Sequence, residues 1–325
     1  MKTAELELKK KKPADRRILI DKIFKWFVMI IALTAVITVF LIFIFIAKEA
    51  LPIFYDHEVQ GEASLSKLFF SQVFEGYNTS EYIWQPNSDY PKFSVLPLIV
   101  GSLKVTLVAI LFAAPLGIAA AIHTSQFASR WFRETVKPMI ELLAGIPSVV
   151  LGFLALIVLA SIMQSIFGFE SRLNGFTAGF ALSIAVIPII YTITEDALNS
   201  VPKSYKEASL ALGATPMQTT WRVVLPSVLP GIFAAVVLGF GRAIGETMIV
   251  LMASGNASIL SANFADSLRT ISATIAAEMG EVVFGDIHYT VLFFLGLILL
   301  TFNFILNYIG YSVVHRLKNR STGLK

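Results

Sequence analysis

Two charged residues interrupt an otherwise apolar stretch near residue 242. Arg242 and Glu246 lie four residues apart in FGRAIGETMIVLM, a spacing that places both side chains on one face of a helix. A guanidinium can donate to two oxygens of an oxyanion, and a carboxylate can accept a proton from an anion such as hydrogen phosphate. The pair therefore predicts either an anion site or an intramembrane salt bridge that holds helices together. Gly241 and Gly245 predict close helix packing in both cases.

The elements that carry this pair must be membrane helices. Of the 325 residues, 56% are apolar and 15% are charged, against about 25% charged residues in soluble domains. Apolar runs of about twenty residues recur, and each can cross a hydrocarbon core of about 30 Å. We expect an all-α membrane protein with six transmembrane helices, at 26–47, 98–122, 139–163, 176–193, 225–252 and 290–314. An arginine at the centre of such a helix costs about 2.5–3.5 kcal/mol, so Arg242 should face protein or water.

Lysine and arginine residues orient the chain. Of the 26, 19 fall in segments that an N-in, C-in topology places in the cytosol, as expected from the positive-inside rule. The predicted organisation of this multi-pass membrane protein is a cytosolic basic tail, a first transmembrane helix, an extracytoplasmic insert, a five-helix core with a cytosolic loop at 194–225, and a short cytosolic tail. The corresponding ranges are 1–25, 26–47, 48–95, 96–315 and 316–325.

The cytosolic loop has the pattern of a helical hairpin. Small and apolar residues recur at helical spacing on one face, at Tyr205, Ala208, Ser209 and Leu212. Gly213 is the expected stop. Thr215, Pro216 and Gln218 then have the order of an N-cap, a first helical residue and the partner of a capping box. The sequence predicts two short helices joined by a rigid corner.

This hairpin resembles the EAA loop of ABC importer permeases. The match consists of Glu207-Ala208-Ser209, then Gly213, then nine residues before Val223-Val224-Leu225-Pro226. The resemblance implies a type I ABC importer permease architecture, in which 207–213 is a coupling helix seated in a cleft of a separate ATPase. The implied contacts are Tyr205, Glu207, Ala208, Ser209, Leu212 and Gly213. The chain has no Gly-Lys dipeptide and hence no G-x-x-x-x-G-K-[ST] phosphate loop, so we expect a transport subunit without its own cofactor, with ATP and Mg²⁺ bound by the partner ATPase.

A second resemblance narrows the family. The segments Arg242-Ala-Ile-Gly-Glu-Thr-Met248 with Gly255-Asn256, Gly145-Ile-Pro-Ser148, and Trp84-Gln-Pro86 closely resemble the PstC-type phosphate permease. This likeness implies a phosphate importer of a bacterial or archaeal plasma membrane, with a PstA-type permease, a PstB-type ATPase dimer and an extracytoplasmic phosphate-binding protein. It implies a substrate pathway that includes Arg242, Glu246, Thr247 and Asn256. The long basic N-terminus and the extended insert at 48–83 depart from that pattern.

Other functions stay open from the sequence. The substrate could be another oxyanion, such as sulfate, molybdate or phosphonate, and a secondary anion transporter would need no ATP. Of the remaining charged residues, Glu195 and Asp196 fit a solvated helix end better than a gating contact, and Glu141 fits an interfacial position or an interhelical hydrogen bond better than a place in the pathway. A solvated or receptor-facing loop is expected for Glu278, Glu281, Asp286 and His288. No catalytic or metal-ligand spacing is present, and the chain lacks cysteine.

Overall fold

The computed structural model describes residues 12–74 and 79–321, with side chains described for 18–74 and 79–316. The chain divides into two compact units, Met1–Glu49 and Ala50–Lys325. The described part of the first unit is one helix, α1 (Lys12–Ala50), whose last residue belongs to the second unit. Its residues from Trp26 to Phe45 are almost all apolar on every face, as suits a helix that crosses a membrane. Residues 12–25, expected in a tail, are therefore helical, and residues 1–11 lie outside the described part.

The predicted insert at 48–95 contains short, capped elements. After α1 come α2 (Pro52–Tyr55), α3 (His57–Ala63) and α4 (Leu65–Phe69). Strands β1 (Trp84–Gln85) and β2 (Lys92–Phe93) then pair antiparallel, with Trp84 opposite Phe93. Trp84, Phe93 and Leu68 are buried with residues of the last helix, so the insert is packed onto the second unit's own core.

Five more helices are long and apolar enough to cross a membrane, so that the described residues contain six with α1, as predicted. They are built from α5 (Leu96–Ile122), α7 and α8 (Ser148–Leu154 and Ala160–Phe167), α9 (Gly175–Asn199), α11 and α12 (Pro216–Thr219 and Leu225–Ile244) and α15 (Ile287–Ser321). Single π-helical turns extend or join them at His123–Phe127, Ala155–Leu159 and Thr220–Val224. Four shorter helices complete the unit: α6 (Arg130–Ala144), α10 (Lys203–Ala211), α13 (Met248–Ala253) and α14 (Ile271–Glu278).

Helix α9 lies at the centre of the second unit. It packs against α5, α12 and α13 and is the most buried of the spanning helices. Close approach to α5 depends on Gly179, where an added Cβ would lie only 2.5 Å from the Cβ of Val108. Because α9 leads directly into α10, the centre of the bundle and the predicted coupling helix are joined by three residues, Ser200 to Pro202.

The predicted third span at 139–163 is wrong in its first part. Helix α6 ends at Ala144, and α7 begins at Ser148 after a turn at Gly145. Pro147 explains the break, because it lacks an N–H donor and restricts the preceding residue to extended conformations. The spanning helix is Ser148–Phe167, and residues 139–144 belong to the amphipathic helix α6.

The limits of the other spans also differ from the expectation. The fifth helical span runs from Pro216 to Ile244 instead of 225–252, because the helix continues from the hairpin corner and stops at Gly245. The fourth continues to Asn199, so that the loop expected from 194 begins later. The last helix runs from Ile287 to Ser321, and 322–325 lie outside the described residues.

A buried carboxylate joins the end of α9 to α6, contrary to the solvated position expected for Glu195. Its side chain is 1% exposed, and its Oε2 lies 2.8 Å from the Nζ of Lys137. The Nε of Arg133 lies 3.9 Å from Oε1, and the Arg133 guanidinium also donates to the Oδ1 of Asn199 at 3.1 Å. Asp196, the neighbouring acid, is exposed as expected. Two cations on one helix therefore neutralise one carboxylate just before the hairpin.

The hydrogen bond from Lys137 to Glu195 raises the pKa of Lys137 above its ordinary value of 10.5, against a smaller opposing effect of burial. A raised pKa in the folded state means that the contribution of protonated Lys137 to stability is fully present below pH 10.5. It is lost only as the pH rises through the raised value. The Lys137 contact is therefore intact across the physiological range.

We expect Glu195→Gln to destabilise the protein by about 1–2 kcal/mol, because it leaves two cations without their buried counter-charge while both can still reach water. The measurement is the unfolding free energy of the purified protein in detergent. The matched control is Glu134→Gln, which removes an exposed pair with Arg130 on the same helix and should cost no more than about 0.5 kcal/mol. Equal effects of the two substitutions would contradict a stabilising role for the buried contact.

Candidate coupling and substrate sites

The predicted hairpin corner is present in detail. Gly213 has φ 82°, a left-handed conformation that ends α10 and that residues with a side chain rarely adopt. The capping box is confirmed, since Gln218 N–H donates to Thr215 Oγ1 at 3.2 Å and Thr215 N–H donates to Gln218 Oε1 at 2.9 Å. The hydroxyls of Ser209 and Thr219 lie 3.0 Å apart and join the two arms. The corner is therefore a defined structural element that continues without a break into α12.

The outer face of this hairpin has no partner within the described part of the chain. No residue of α10 is buried, and Tyr205 is 55% exposed. Leu212, at the tip, is 90% exposed, the highest value among the exposed large apolar side chains of the described residues. Glu207 and Ala208 are also exposed, and Ser209 is half-buried. An apolar tip on a rigid polar hairpin is the arrangement expected of a docking element.

The first turn of α10 lies near the Glu195 contact. Burial, and then the charge of Arg133, lower the pKa of Lys206 below 10.5. Lys206 is thus within electrostatic reach of Arg133, the α6 residue that contacts Glu195 and Asn199.

Arg242 and Glu246 do not share a helical face. Helix α12 ends at Ile244, Gly245 is its C-cap, and the N–H of Glu246 donates to the carbonyl of Ala243 at 3.2 Å. The expectation of a common face is wrong because the glycine ends the helix before Glu246. Among the residues that the structure describes, no ion pair joins the two side chains, so the salt-bridge alternative is not realised either.

The guanidinium of Arg242 is exposed and has no hydrogen-bond acceptor or counter-charge among the described residues. Glu246 and Thr247 are half-buried in the short connection to α13, and the Thr247 hydroxyl donates to the carbonyl of Gly245 at 3.4 Å. Within the described part of the chain, the last turn of α12 therefore presents a free cation close in sequence to a carboxylate and a hydroxyl. This set can bind an oxyanion that carries a proton.

Asn256 has a local structural role. It is the only non-glycine residue with positive φ (56°) in the described part of the chain, and its Nδ2 donates to the carbonyl of Leu251 at 2.7 Å. Its Oδ1 lies 3.4 Å from the Ser254 hydroxyl. The amide thus terminates α13, and a role in the substrate pathway stays a prediction.

Another cluster was missed by the sequence interpretation. Glu278, expected in a solvated loop, accepts hydrogen bonds from Trp84 Nε1 at 3.1 Å and His288 Nε2 at 2.9 Å, and lies 2.8 Å from Arg269. His288 is buried, whereas Glu281 and Asp286 are exposed as expected. The Trp84 and Glu278 side chains are 194 positions apart, so no local pattern could have revealed the contact. It fixes the β1–β2 hairpin to the start of α15.

Comparison with known proteins places these features in a family. Residues 113–319 match the family described as the binding-protein-dependent transport system inner membrane component. The "Probable ABC transporter permease protein YqgH" of Bacillus subtilis (strain 168) is 42% identical over 225 residues, covering 68% of this chain and 72% of that protein.

Two further relatives are named phosphate transport system permease proteins. PstC of Mesorhizobium japonicum is 37% identical over 257 residues, covering 73% of this chain and 78% of the relative. PstC 1 of Mycobacterium tuberculosis is 32% identical over 246 residues, covering 69% and 73%.

Solved structures share the fold. The MetNI methionine ABC transporter, in inward-facing conformations, matches with a TM-score of 0.51 at 21% identity, over 69% of this chain and 94% of that chain. A bacterial alginate ABC transporter matches with a TM-score of 0.58 at 16% identity, over 90% and 95%. The chain is therefore a multi-pass inner membrane protein. It belongs to the family of binding-protein-dependent transport system inner membrane components, which are transport permeases of ABC importers.

Proposed function

We propose that this chain is the PstC-type permease subunit of an ATP-driven phosphate importer. The observation that carries the proposal is the free guanidinium of Arg242 at the end of a membrane-spanning helix. A cation in a membrane span requires water, a counter-charge or a substrate anion, and no protein carboxylate among the described residues supplies the second. The names of the relatives support phosphate as that anion.

The neighbouring acid favours an anion that carries a proton. Glu246 and Thr247 follow Arg242 closely, so hydrogen phosphate could accept from the guanidinium and donate to the carboxylate. Sulfate and molybdate lack that donor at neutral pH. They and phosphonates are the alternative substrates within the same transporter class.

The partners follow from the permease architecture and the exposed hairpin. ABC importer permeases work with an ATPase and a substrate-binding protein. Here we assign a PstB-type ATPase dimer, which binds ATP and Mg²⁺, to the face that contains Glu207 and Leu212. A PstA-type permease would complete the pathway, and a phosphate-binding protein would deliver the anion from outside.

In the proposed cycle, closure of the ATPase dimer on ATP moves α10. The capped corner at Thr215 transmits this motion to α12, and the pathway near Arg242 opens outward. Phosphate leaves the binding protein and pairs with the guanidinium, and hydrolysis returns the pathway to the cytosolic side. The break at Pro147 and the prolines within α5 and α9, Pro115 and Pro188, are positions where bending is easiest.

Arg242→Gln should reduce ATP-dependent phosphate uptake by at least about tenfold, because a neutral amide replaces the charge that stabilises the anion in the pathway. The measurement is radiolabelled phosphate uptake by proteoliposomes that contain the assembled complex, with amounts of complex matched. Arg242→Lys should retain part of the activity. Arg172→Gln is the control, since that arginine lies in the loop before α9 and bonds to Ser161 of α8. Undiminished uptake by Arg242→Gln would exclude the pathway role.

Leu212→Asp should weaken copurification of the ATPase with the permease by about tenfold or more, as expected when an exposed apolar side chain is the anchor of an interface. Its effect on the stability of the isolated chain should be small, because Leu212 is 90% exposed. Val283→Asp is the control, since Val283 is 72% exposed but lies in the loop before α15. Normal ATPase association in Leu212→Asp would contradict docking at this tip.

A further inference from the structure

A loop that the proposed function does not use is built into the end of the bundle remote from the coupling helix. Residues 255–270, here called the outer loop, connect Ser254, the C-cap of α13, to α14. The N–H of Gly175 donates to the carbonyl of Asp266 at 3.0 Å, and the N–H of Phe176 donates to the carbonyl of Phe264 at 2.8 Å. These first N–H groups of α9 have no acceptor within their own helix. The outer loop therefore caps α9 at the end opposite Asn199.

The same loop lies directly on α5. At Gly101 an added Cβ would overlap the carbonyl oxygen of Arg269, so backbone touches backbone there. At the next residue of α5, the Ser102 hydroxyl accepts the N–H of Ile271 at 3.0 Å. The loop is held by close packing and by hydrogen bonds to two spanning helices.

A buried lysine on α5 supplies the charged part of this contact. Lys104 is 7% exposed, and its Nζ donates to the carbonyl of Ser261 at 3.1 Å and to that of Asn263. It also lies 5.3 Å above the centre of the Phe264 ring. The Asp266 carboxylate orders the loop by accepting from the Ser261 hydroxyl and from Asn263 Nδ2 at 2.9 Å. A buried ammonium is tolerated only when its donors are used, and here the loop carbonyls use them.

The outer loop is also connected to the proposed substrate pathway. The N–H of Leu268 and the Ser267 hydroxyl donate to the carbonyl of Ser254, at the end of α13, at 3.0 and 3.1 Å. Just beyond the loop, the Ser272 hydroxyl donates to the carbonyl of Glu246 at 2.8 Å. The loop and the start of α14 are therefore hydrogen-bonded to the two ends of segment 246–254, which follows Arg242 in the chain.

We propose that Lys104 is a positioning residue that holds the outer loop in its resting place, and that this contact is released when ATP opens the far end of the pathway. The inference rests on the proposed ATP-driven import. Since α9 joins the loop to the coupling helix, loss of the contact should favour the opened state before the binding protein arrives. The complex would then hydrolyse ATP without delivering substrate.

The first test measures ATP hydrolysis by the reconstituted complex with and without phosphate-loaded binding protein. Lys104→Met should raise hydrolysis without binding protein by about tenfold, because two charge-assisted hydrogen bonds are lost. Lys104→Arg, which keeps the charge and the donors, should stay closer to the original. Lys67→Met is the control, since that lysine bonds to Gly61 within the insert.

A ratio of stimulated to unstimulated hydrolysis that is unchanged in Lys104→Met would overturn the proposed role of Lys104. Failure of the proposed function would look different, because the unaltered complex itself would show no stimulation by the phosphate-loaded binding protein. A change in assembly alone would alter the amount of complex but leave this ratio as it was.

The second test reports loop movement directly and needs no transport. The chain has no cysteine, and Ser254, whose carbonyl the loop covers, is 0% exposed. In a Ser254→Cys background, the added substitution Lys104→Met should speed maleimide labelling of the thiol by about tenfold, since the loop must lift for the reagent to enter. Equal labelling rates with and without the Lys104→Met substitution would show that Lys104 does not hold the loop, and would contradict the proposal.

Discussion

The charge of Arg242 inside a spanning helix is the constraint on which the rest of the structure depends. Lipid cannot solvate a guanidinium, and the described part of the chain offers it no carboxylate. The last turn of α12 must therefore face water, a partner subunit or an anion. Gly245 ends this helix, so that Glu246 and Thr247 lie in the short connection to α13 and their side chains are not confined to a helical face.

Helix α9 connects the two ends of the proposed machinery. Its 25 residues span about 37 Å, with the outer loop at Gly175 and the Glu195 contact near Asn199. Each end is held by a charged contact: Lys104 of α5 binds the loop that caps the first turn of α9, and Lys137 of α6 pairs with the buried Glu195 near its last turn. A helix with defined contacts at both ends can transmit displacement from the coupling hairpin, with Pro188 as its easiest point of bending, and its central burial limits sideways motion.

Local patterns predicted much of this structure. The six spanning helices follow from the lengths of apolar runs, and the hairpin corner follows from Gly213 and the Thr215–Gln218 box, which act over a few residues. The break before Ser148 was missed because Met139–Ala144 is apolar enough to continue the following run, and only Pro147 signals a boundary. The prediction that Arg242 and Glu246 share a helical face was wrong because the helix ends at Gly245, and residue periodicity alone does not show where a helix ends. Contacts between distant segments were beyond the reach of such patterns: Glu195, Glu278 and Lys104 each bind partners on other elements. Of these three, only Lys104 gave a signal in the sequence, because a lysine within a predicted span is expected to be buried in protein. The sequence does not show which groups accept its hydrogen bonds.

Reconstitution of the purified chain into liposomes, alone and with its ATPase, second permease and binding protein, tests the central claim most directly. The measurement is radiolabelled phosphate flux, with ATP supplied to the face that contains α10. The account predicts no flux through this chain alone and ATP-dependent uptake by the complete complex. Phosphate flux through the isolated chain without ATP would contradict it and would identify a secondary transporter or channel.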